Sequence, residues 1–89
     1  VRIENMRRNV RSRPTIALMR IIESVDRQRN FAQAAEELGV KVPTISVAIS
    51  TFEKASNRKL IDRTSWAGGV RMTKEGEKLA NALRPLLPP

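Results

Sequence analysis

Apolar residues recur at helical spacing in four stretches of the chain, and each stretch predicts a helix. The first helix is expected over about 15–28, with its apolar residues on one face: Leu18, Ile21, Ile22 and Val25. Two further helices are expected over 31–38 and about 43–55, and a fourth over about 74–83. The pattern therefore predicts a mainly α fold with three to four helices.

The second and third helices are joined by a turn of the length that a helix-turn-helix requires. Ala35 falls where the two helices cross and only a small side chain fits. Gly39 falls in the turn, where a positive φ is needed, and Pro43 fixes φ at the start of the third helix. Ile45 is expected to point back between the helices, and the rest of this apolar wedge is expected to be Leu38, Val40 and Ile49.

Two short apolar runs after the third helix flank a small, polar loop. Leu60 and Ile61 indicate the start of a strand, residues 62–69 have the composition of a hairpin loop, and residues 70–72 return as a second strand. A two-stranded hairpin directly after a helix-turn-helix is a β-wing. The sequence therefore predicts one winged helix-turn-helix domain over 15–84.

The chain is strongly basic. Its 89 residues include 17 Lys and Arg against 9 Asp and Glu, a net charge of +8, which favours an anionic partner such as nucleic acid. Residues 1–14 are interpreted as a basic N-terminal arm, in which Arg11 and Arg13 either contact DNA or belong to a solvated tail. Residues 85–89 are interpreted as a Pro-rich tail.

Composition also excludes several classes of site. The chain has no Cys and no His, so it can form no disulfide and no zinc site of the Cys/His kind, and we expect no metal and no cofactor. Carboxylates fall mostly on helix exteriors, which argues against an enzyme. No apolar run approaches a membrane span, and no signal peptide is visible, so a cytoplasmic, nucleoid-associated location without membrane contact is expected.

A longer pattern runs from Leu18 to Gly76, about two thirds of the chain. It reads NF…AA..L..KVPTIS..I..FE..SN..LI.R and then MT.EG. This pattern resembles the N-terminal winged helix-turn-helix of LysR-type transcriptional regulators, which typically reads SF…AA..L..SQPAVS..I..LE..LG..LF.R and then LT.AG. The resemblance implies a bacterial, sequence-specific double-stranded DNA-binding domain for transcription regulation, with helix 43–55 in the major groove.

The resemblance, together with charge and position, gives a set of expected DNA contacts. Those at the third helix are Lys41, Val42, Pro43, Thr44, Ser46, Val47, Ser50 and Thr51, and those of the wing region are Arg63, Arg71 and Lys74. An ion pair with Asp62 or Glu53 is an equal alternative for Arg63. The helix lacks the long polar readers usual in the family, so base reading is expected to use hydroxyls and methyl contacts from Val47 and Ala48 to thymine.

Two other functions remain open from the sequence. A winged helix can serve as a protein–protein interaction module, whose basic face would bind an acidic partner, and the neutral outer face of the third helix is compatible with this. RNA binding ranks lower because the small wing offers no aromatic stacking platform. A homodimer is expected, through the fourth helix and the first, with an apolar edge made of Leu79, Leu83, Leu86 and Leu87.

Overall fold

The computed structural model describes residues 16–63 and 69–88. In chain order the elements are α1 (Ile16–Gln28), α2 (Phe31–Leu38), α3 (Val42–Ser56), β1 (Ile61–Asp62), β2 (Arg71–Met72), α4 (Lys74–Leu83) and a 3-10 turn (Arg84–Leu86). The predicted winged helix-turn-helix is confirmed, with each helix within two residues of its expected bounds. The basic arm with Arg11 and Arg13, and the tip of the hairpin loop, lie outside the described residues.

Local capping chemistry sets where the helices begin and end. The amide of Gln33 donates to Asn30 Oδ1 (2.8 Å) at the start of α2, and that helix ends at Gly39, whose φ is 71°. Asn57 ends α3 with a φ of 56°, a left-handed conformation that Asn tolerates better than most residues. Thr73 caps α4 by accepting a hydrogen bond from the Gly76 amide (2.9 Å).

The core lies between the four helices and the base of the wing. Ala35 is buried at the helix crossing, and Ile45 and Ile49 of α3 are fully buried against it, as the helix-turn-helix pattern predicted. The prediction for Val40 was wrong, because 37% of its surface is exposed. Val40 lies just after the left-handed turn, where its amide donates to the Ala35 carbonyl (3.0 Å) and its side chain stays at the surface.

The strands of the wing pair in an antiparallel register that separates a buried side from an exposed one. Ile61 lies opposite Met72 and Asp62 lies opposite Arg71. Ile61 and Met72 are both buried, whereas Arg71 is exposed, as the twofold alternation of strand side chains requires. The hairpin base is therefore fixed to the core while Arg71 remains available at the surface.

The fourth helix packs on the core and leaves less apolar surface than the sequence suggested. Leu79 and Leu83 are half-buried against the core, so they do not form an open apolar edge. Leu86 alone of the four leucines is largely exposed, at 68%. Pro85 cannot continue an α-helix, but its fixed φ suits the first positions of a 3-10 turn, so helical structure extends into the predicted tail. No helix in the described ranges is long and apolar enough to cross a membrane.

Candidate nucleic-acid interface

The third helix has two distinct faces. Its buried face carries Ile45, Ile49 and Glu53, spaced four residues apart along one side. Ser46 and Ser50 are half-buried at the border. The predicted contact residues that the structure leaves exposed on or before this helix are Lys41, Val42, Pro43, Thr44, Val47 and Thr51. The structure therefore brings most of the predicted contact residues to one exposed surface, which we call the α3 face.

Ala48 is not part of the α3 face. Its side chain is half-buried and packs against the core, because it lies one turn after Ile45 and directly before Ile49. The exposed aliphatic residues are instead Val47, at 64%, and Val42, at 40%. Apolar contact with thymine methyl groups, expected from Val47 and Ala48, is thus open to Val47 but not to Ala48.

Glu53 connects α3 to the wing through hydrogen bonds. One carboxylate oxygen accepts hydrogen bonds from the buried amides of Leu60 (2.7 Å) and Ile61 (3.1 Å), and the other accepts one from Arg63 Nη1 (3.0 Å). Burial alone would raise the pKa of Glu53, but these three hydrogen bonds outweigh it, and the pKa lies below its ordinary value of 4.5. The end of α3 and the start of β1 are therefore held by one ionised carboxylate.

From the sequence, Glu53 was expected only as a possible ion-pair partner of Arg63, and its hydrogen bonds to the amides of Leu60 and Ile61 were not predicted. The available signal was its position on the buried stripe of α3, four residues after Ile49, where a carboxylate needs partners. For Arg63, the structure shows the ion pair with Glu53, which was one of the two alternatives left open. The guanidinium of Arg63 thus helps to hold the base of the hairpin against Glu53.

The remaining cations of the site differ from Arg63 in their ion pairing. Lys41 lies directly before α3, Arg71 lies on the exposed side of β2, and Lys74 is the first residue of α4. All three are exposed, and none forms an ion pair with any residue in the described ranges. By contrast, five arginines in the part of the chain that the structure describes are paired with carboxylates: Arg27, Arg29, Arg58, Arg63 and Arg84.

A group of these ion pairs joins α1, α2 and the C-terminal turn. Arg27 bonds both Glu23 (3.1 Å) and Glu37 (2.8 Å), and Arg84 bonds Glu23 (3.0 Å) and Asp26 (3.0 Å). Hydrogen bonds from Arg27 and then from Ser24 lower the pKa of Glu37 to about 2. These ion pairs neutralise Glu23, Asp26 and Glu37 within the fold, whereas Glu36 is exposed and forms no ion pair with the described residues. The charge offered to a partner is therefore set mainly by the exposed cations that have no carboxylate partner in the described ranges.

The chain matches the model of bacterial regulatory helix-turn-helix proteins of the lysR family over residues 16–77. It is 34% identical over 74 residues to a probable hydrogen peroxide-inducible genes activator of Mycobacterium xenopi, covering 83% of this chain and 38% of that protein. The chain therefore spans less than two fifths of the length of this relative.

Solved structures agree with this assignment. A mutant OxyR of Corynebacterium glutamicum superposes with a TM-score of 0.74 at 30% identity, over 83% of this chain and 23% of that one. Vibrio fischeri DarR, solved in complex with DNA, gives a TM-score of 0.73 at 26% identity, over 83% and 25% of the two chains. The resemblance is confirmed: the chain belongs to the lysR family of bacterial regulatory helix-turn-helix proteins and carries its winged helix-turn-helix DNA-binding domain.

Proposed function

We propose that this domain binds double-stranded DNA in a sequence-dependent manner, with α3 in the major groove and the wing region on the sugar-phosphate backbone. The observation that carries the proposal is the α3 face, an exposed helix surface, together with exposed cations that form no ion pair within the described residues, in a chain of net charge +8. The DarR structure, in which a relative of the same fold is bound to DNA, supports it. The domain would then deliver a transcription regulator to its operator.

Base reading is assigned to exposed residues in the first three turns of α3. Thr44 and Thr51 offer hydroxyls that can donate or accept hydrogen bonds at base edges, and Val47 offers methyl groups to thymine. Val42 and Pro43 lie at the same end of the helix and add apolar contact. Ser46 and Ser50 are half-buried, so we place them at the margin of the reading surface.

Backbone positioning is assigned to Lys41, Arg71 and Lys74, because they are exposed and free of carboxylate partners among the described residues. Arg63 is proposed to act indirectly, by holding Glu53 and through it the hairpin base. For Arg11 and Arg13 the contact with DNA stays a prediction from the sequence.

Mutations can separate the two components of duplex binding, contact with phosphates and reading of base edges. Affinity should fall steeply with salt, with a log–log slope of about −0.9 for each phosphate neutralised. Arg71→Ala should weaken binding to preferred and random duplexes alike and make the slope shallower by about one. Thr44→Ala should cost about 1–3 kcal/mol on the preferred site and little on random DNA. Fluorescence anisotropy titrations at several salt concentrations measure both effects.

Two outcomes of these titrations contradict the proposal. Absence of duplex binding at low salt would reject DNA binding and favour the protein–protein interaction module. If Thr44→Ala and Val47→Ala both left the ratio of specific to random affinity unchanged, α3 would not be the reading helix. Lys78→Ala, an exposed cation on α4 outside the proposed contacts, is the matched control for the charge lost in Arg71→Ala.

We further propose that the domain pairs as a homodimer on DNA. The exposed apolar residues Leu86, at 68%, and Ile16, at 55%, lie at the C-terminal turn and at the start of α1, and they are the side chains offered to a second copy. Two exposed apolar side chains offer little area to a partner, which favours weak association alone and stronger pairing on adjacent half-sites. Sedimentation that found one protein per saturated duplex would contradict the pairing.

A further inference from the structure

Arg29 occupies an unusual backbone position between α1 and α2. Its φ is 54°, in the left-handed region that residues with a Cβ rarely adopt. The Arg29 amide donates to the Val25 carbonyl (2.8 Å), which ends α1, and the next residue, Asn30, caps α2. The conformation of Arg29 is therefore set by two helix ends, and its own carbonyl is left for a partner outside them.

That partner is the strand approaching the wing. The Val70 amide donates to the Arg29 carbonyl (3.0 Å), directly before β2 begins at Arg71. Gly69, which has a φ of 104°, makes this approach possible, because a Cβ at that position would lie 2.6 Å from the Arg29 oxygen. The main-chain contact between the α1–α2 corner and the wing thus depends on the absence of a Cβ at Gly69 and on the left-handed backbone of Arg29.

The Arg29 side chain extends the same connection to α4. Its Nε donates to the Asp26 carbonyl (2.6 Å), and its Nη2 donates to Asp26 Oδ1 (3.2 Å) and to Glu77 Oε2 (3.0 Å). Glu77 lies in the first turn of α4, one turn after Lys74. One residue therefore bonds to the end of α1, to the segment that leads into β2, and to the first turn of α4.

We propose that Arg29 is a positioning residue for DNA binding, which fixes β2 and the start of α4 relative to the corner between α1 and α2, the two helices on which α3 packs. This inference rests on the proposed function, since the groups it positions are the two cations Arg71 and Lys74. A hairpin with two residues in each strand has little stability of its own, so its place depends on what it is attached to. Glu53 attaches the β1 side of the hairpin, and Arg29 attaches the β2 side without belonging to the DNA-contacting set.

Gly69→Ala is the sharpest test, because it breaks the approach to the Arg29 carbonyl and changes no charge. We expect it to weaken DNA binding about tenfold in the parent and less than twofold when Arg71 and Lys74 are both replaced by Ala, since the positioned groups are then absent. In a Thr44→Ala background the full tenfold loss should persist, because Thr44 lies on α3. Titrations of these single and combined variants on one duplex measure the coupling.

A readout without DNA accompanies the titrations. Hydrogen exchange of the Val70 amide should speed up about tenfold in Gly69→Ala, while the Thr73 amide, which donates to the Leu60 carbonyl (3.0 Å), should keep its protection. Should Gly69→Ala fail to fold, Arg29→Met tests the side-chain bonds by the same coupling, with Arg27→Met as the control for a lost arginine charge. Arg29→Met should then weaken DNA binding in the parent but much less in the variant that lacks Arg71 and Lys74. Arg27→Met should not show this difference.

The role of Arg29 would be overturned if Gly69→Ala lowered DNA affinity by the same factor in the parent and in the variant that lacks both Arg71 and Lys74. Unchanged hydrogen exchange of the Val70 amide in Gly69→Ala would also overturn it. These results are distinct from failure of the proposed function. A parent domain that binds no duplex rejects DNA binding itself, whereas a parent that binds duplex but shows no coupling rejects only the positioning by Arg29.

Discussion

Glu53→Ala should destabilise the domain by about 2–5 kcal/mol, a large part of the stability of a domain of this size. The substitution leaves the buried amides of Leu60 and Ile61 without an acceptor and removes the partner of Arg63. Each unsatisfied buried group costs about 1–3 kcal/mol. Urea denaturation followed by circular dichroism measures the change.

The matched control for this prediction is Glu36→Ala, which removes an exposed carboxylate with no ion pair to the described residues and should stay within about 0.5 kcal/mol of the parent. Glu53→Gln retains one acceptor oxygen and should fall between the two. A Glu53→Ala variant as stable as Glu36→Ala would show that the carboxylate does not hold the start of β1.

The same carboxylate gives stability a defined dependence on pH. Because its pKa is lower in the folded state, ionised Glu53 contributes stability above its ordinary pKa of 4.5, and the contribution is lost as pH falls toward the folded value. Glu37, with a pKa of about 2, and Glu23, whose pKa is also lowered, act in the same direction. Between pH 5 and pH 3, Glu53→Gln should therefore lose less free energy of unfolding than the parent, because its amide has no proton to take up.

Gly76→Ala should destabilise the domain by about 1–3 kcal/mol, although alanine normally favours a helix. A Cβ at Gly76 would lie 2.4 Å from the Leu60 carbonyl oxygen and 3.0 Å from Met72 Cε, so the first turn of α4 would have to move away from the wing. The Leu60 carbonyl cannot yield easily, since it accepts a hydrogen bond from the Thr73 amide (3.0 Å). Thermal melting of the purified domain measures the loss.

The opposite exchange at an exposed position of the same helix provides the control. Ala82 is exposed on α4, and Ala82→Gly should cost about 0.5–1 kcal/mol through helix propensity alone. Glycine is thus expected to be the better residue at position 76 and the worse one at position 82. If alanine were the more stable residue at both positions, close packing against Leu60 would not determine which residue position 76 accepts.

The parts of the fold that local chemistry determines could be predicted from the sequence. Asn30, Gly39 and Asn57 mark helix ends through their own side chains or backbone freedom, and the structure has the helix ends at those residues. The burial of Ile45 and Ile49 follows from helical periodicity, which also separates the α3 face from the core.

The remaining features depend on contacts that are distant in sequence or on small differences in direction. Glu53 finds its acceptor role only once β1 folds back to it, and Arg29 meets Val70 across 41 positions of chain. Ala48 lies at the edge of the buried stripe, where periodicity does not distinguish half-buried from exposed residues. The same limit applied to Leu79 and Leu83, since the docking of α4 decides which of its leucines are covered.

On the proposed function, the α3 face determines how DNA preference can change during evolution. The side chains of Thr44, Val47 and Thr51 are exposed and hold no hydrogen bond to other described residues, so replacing them leaves the buried stripe of α3 untouched. Substitutions there should be nearly neutral for stability. If α3 reads the operator as proposed, descendants of this domain can acquire new operators one residue at a time, without passing through poorly folded intermediates.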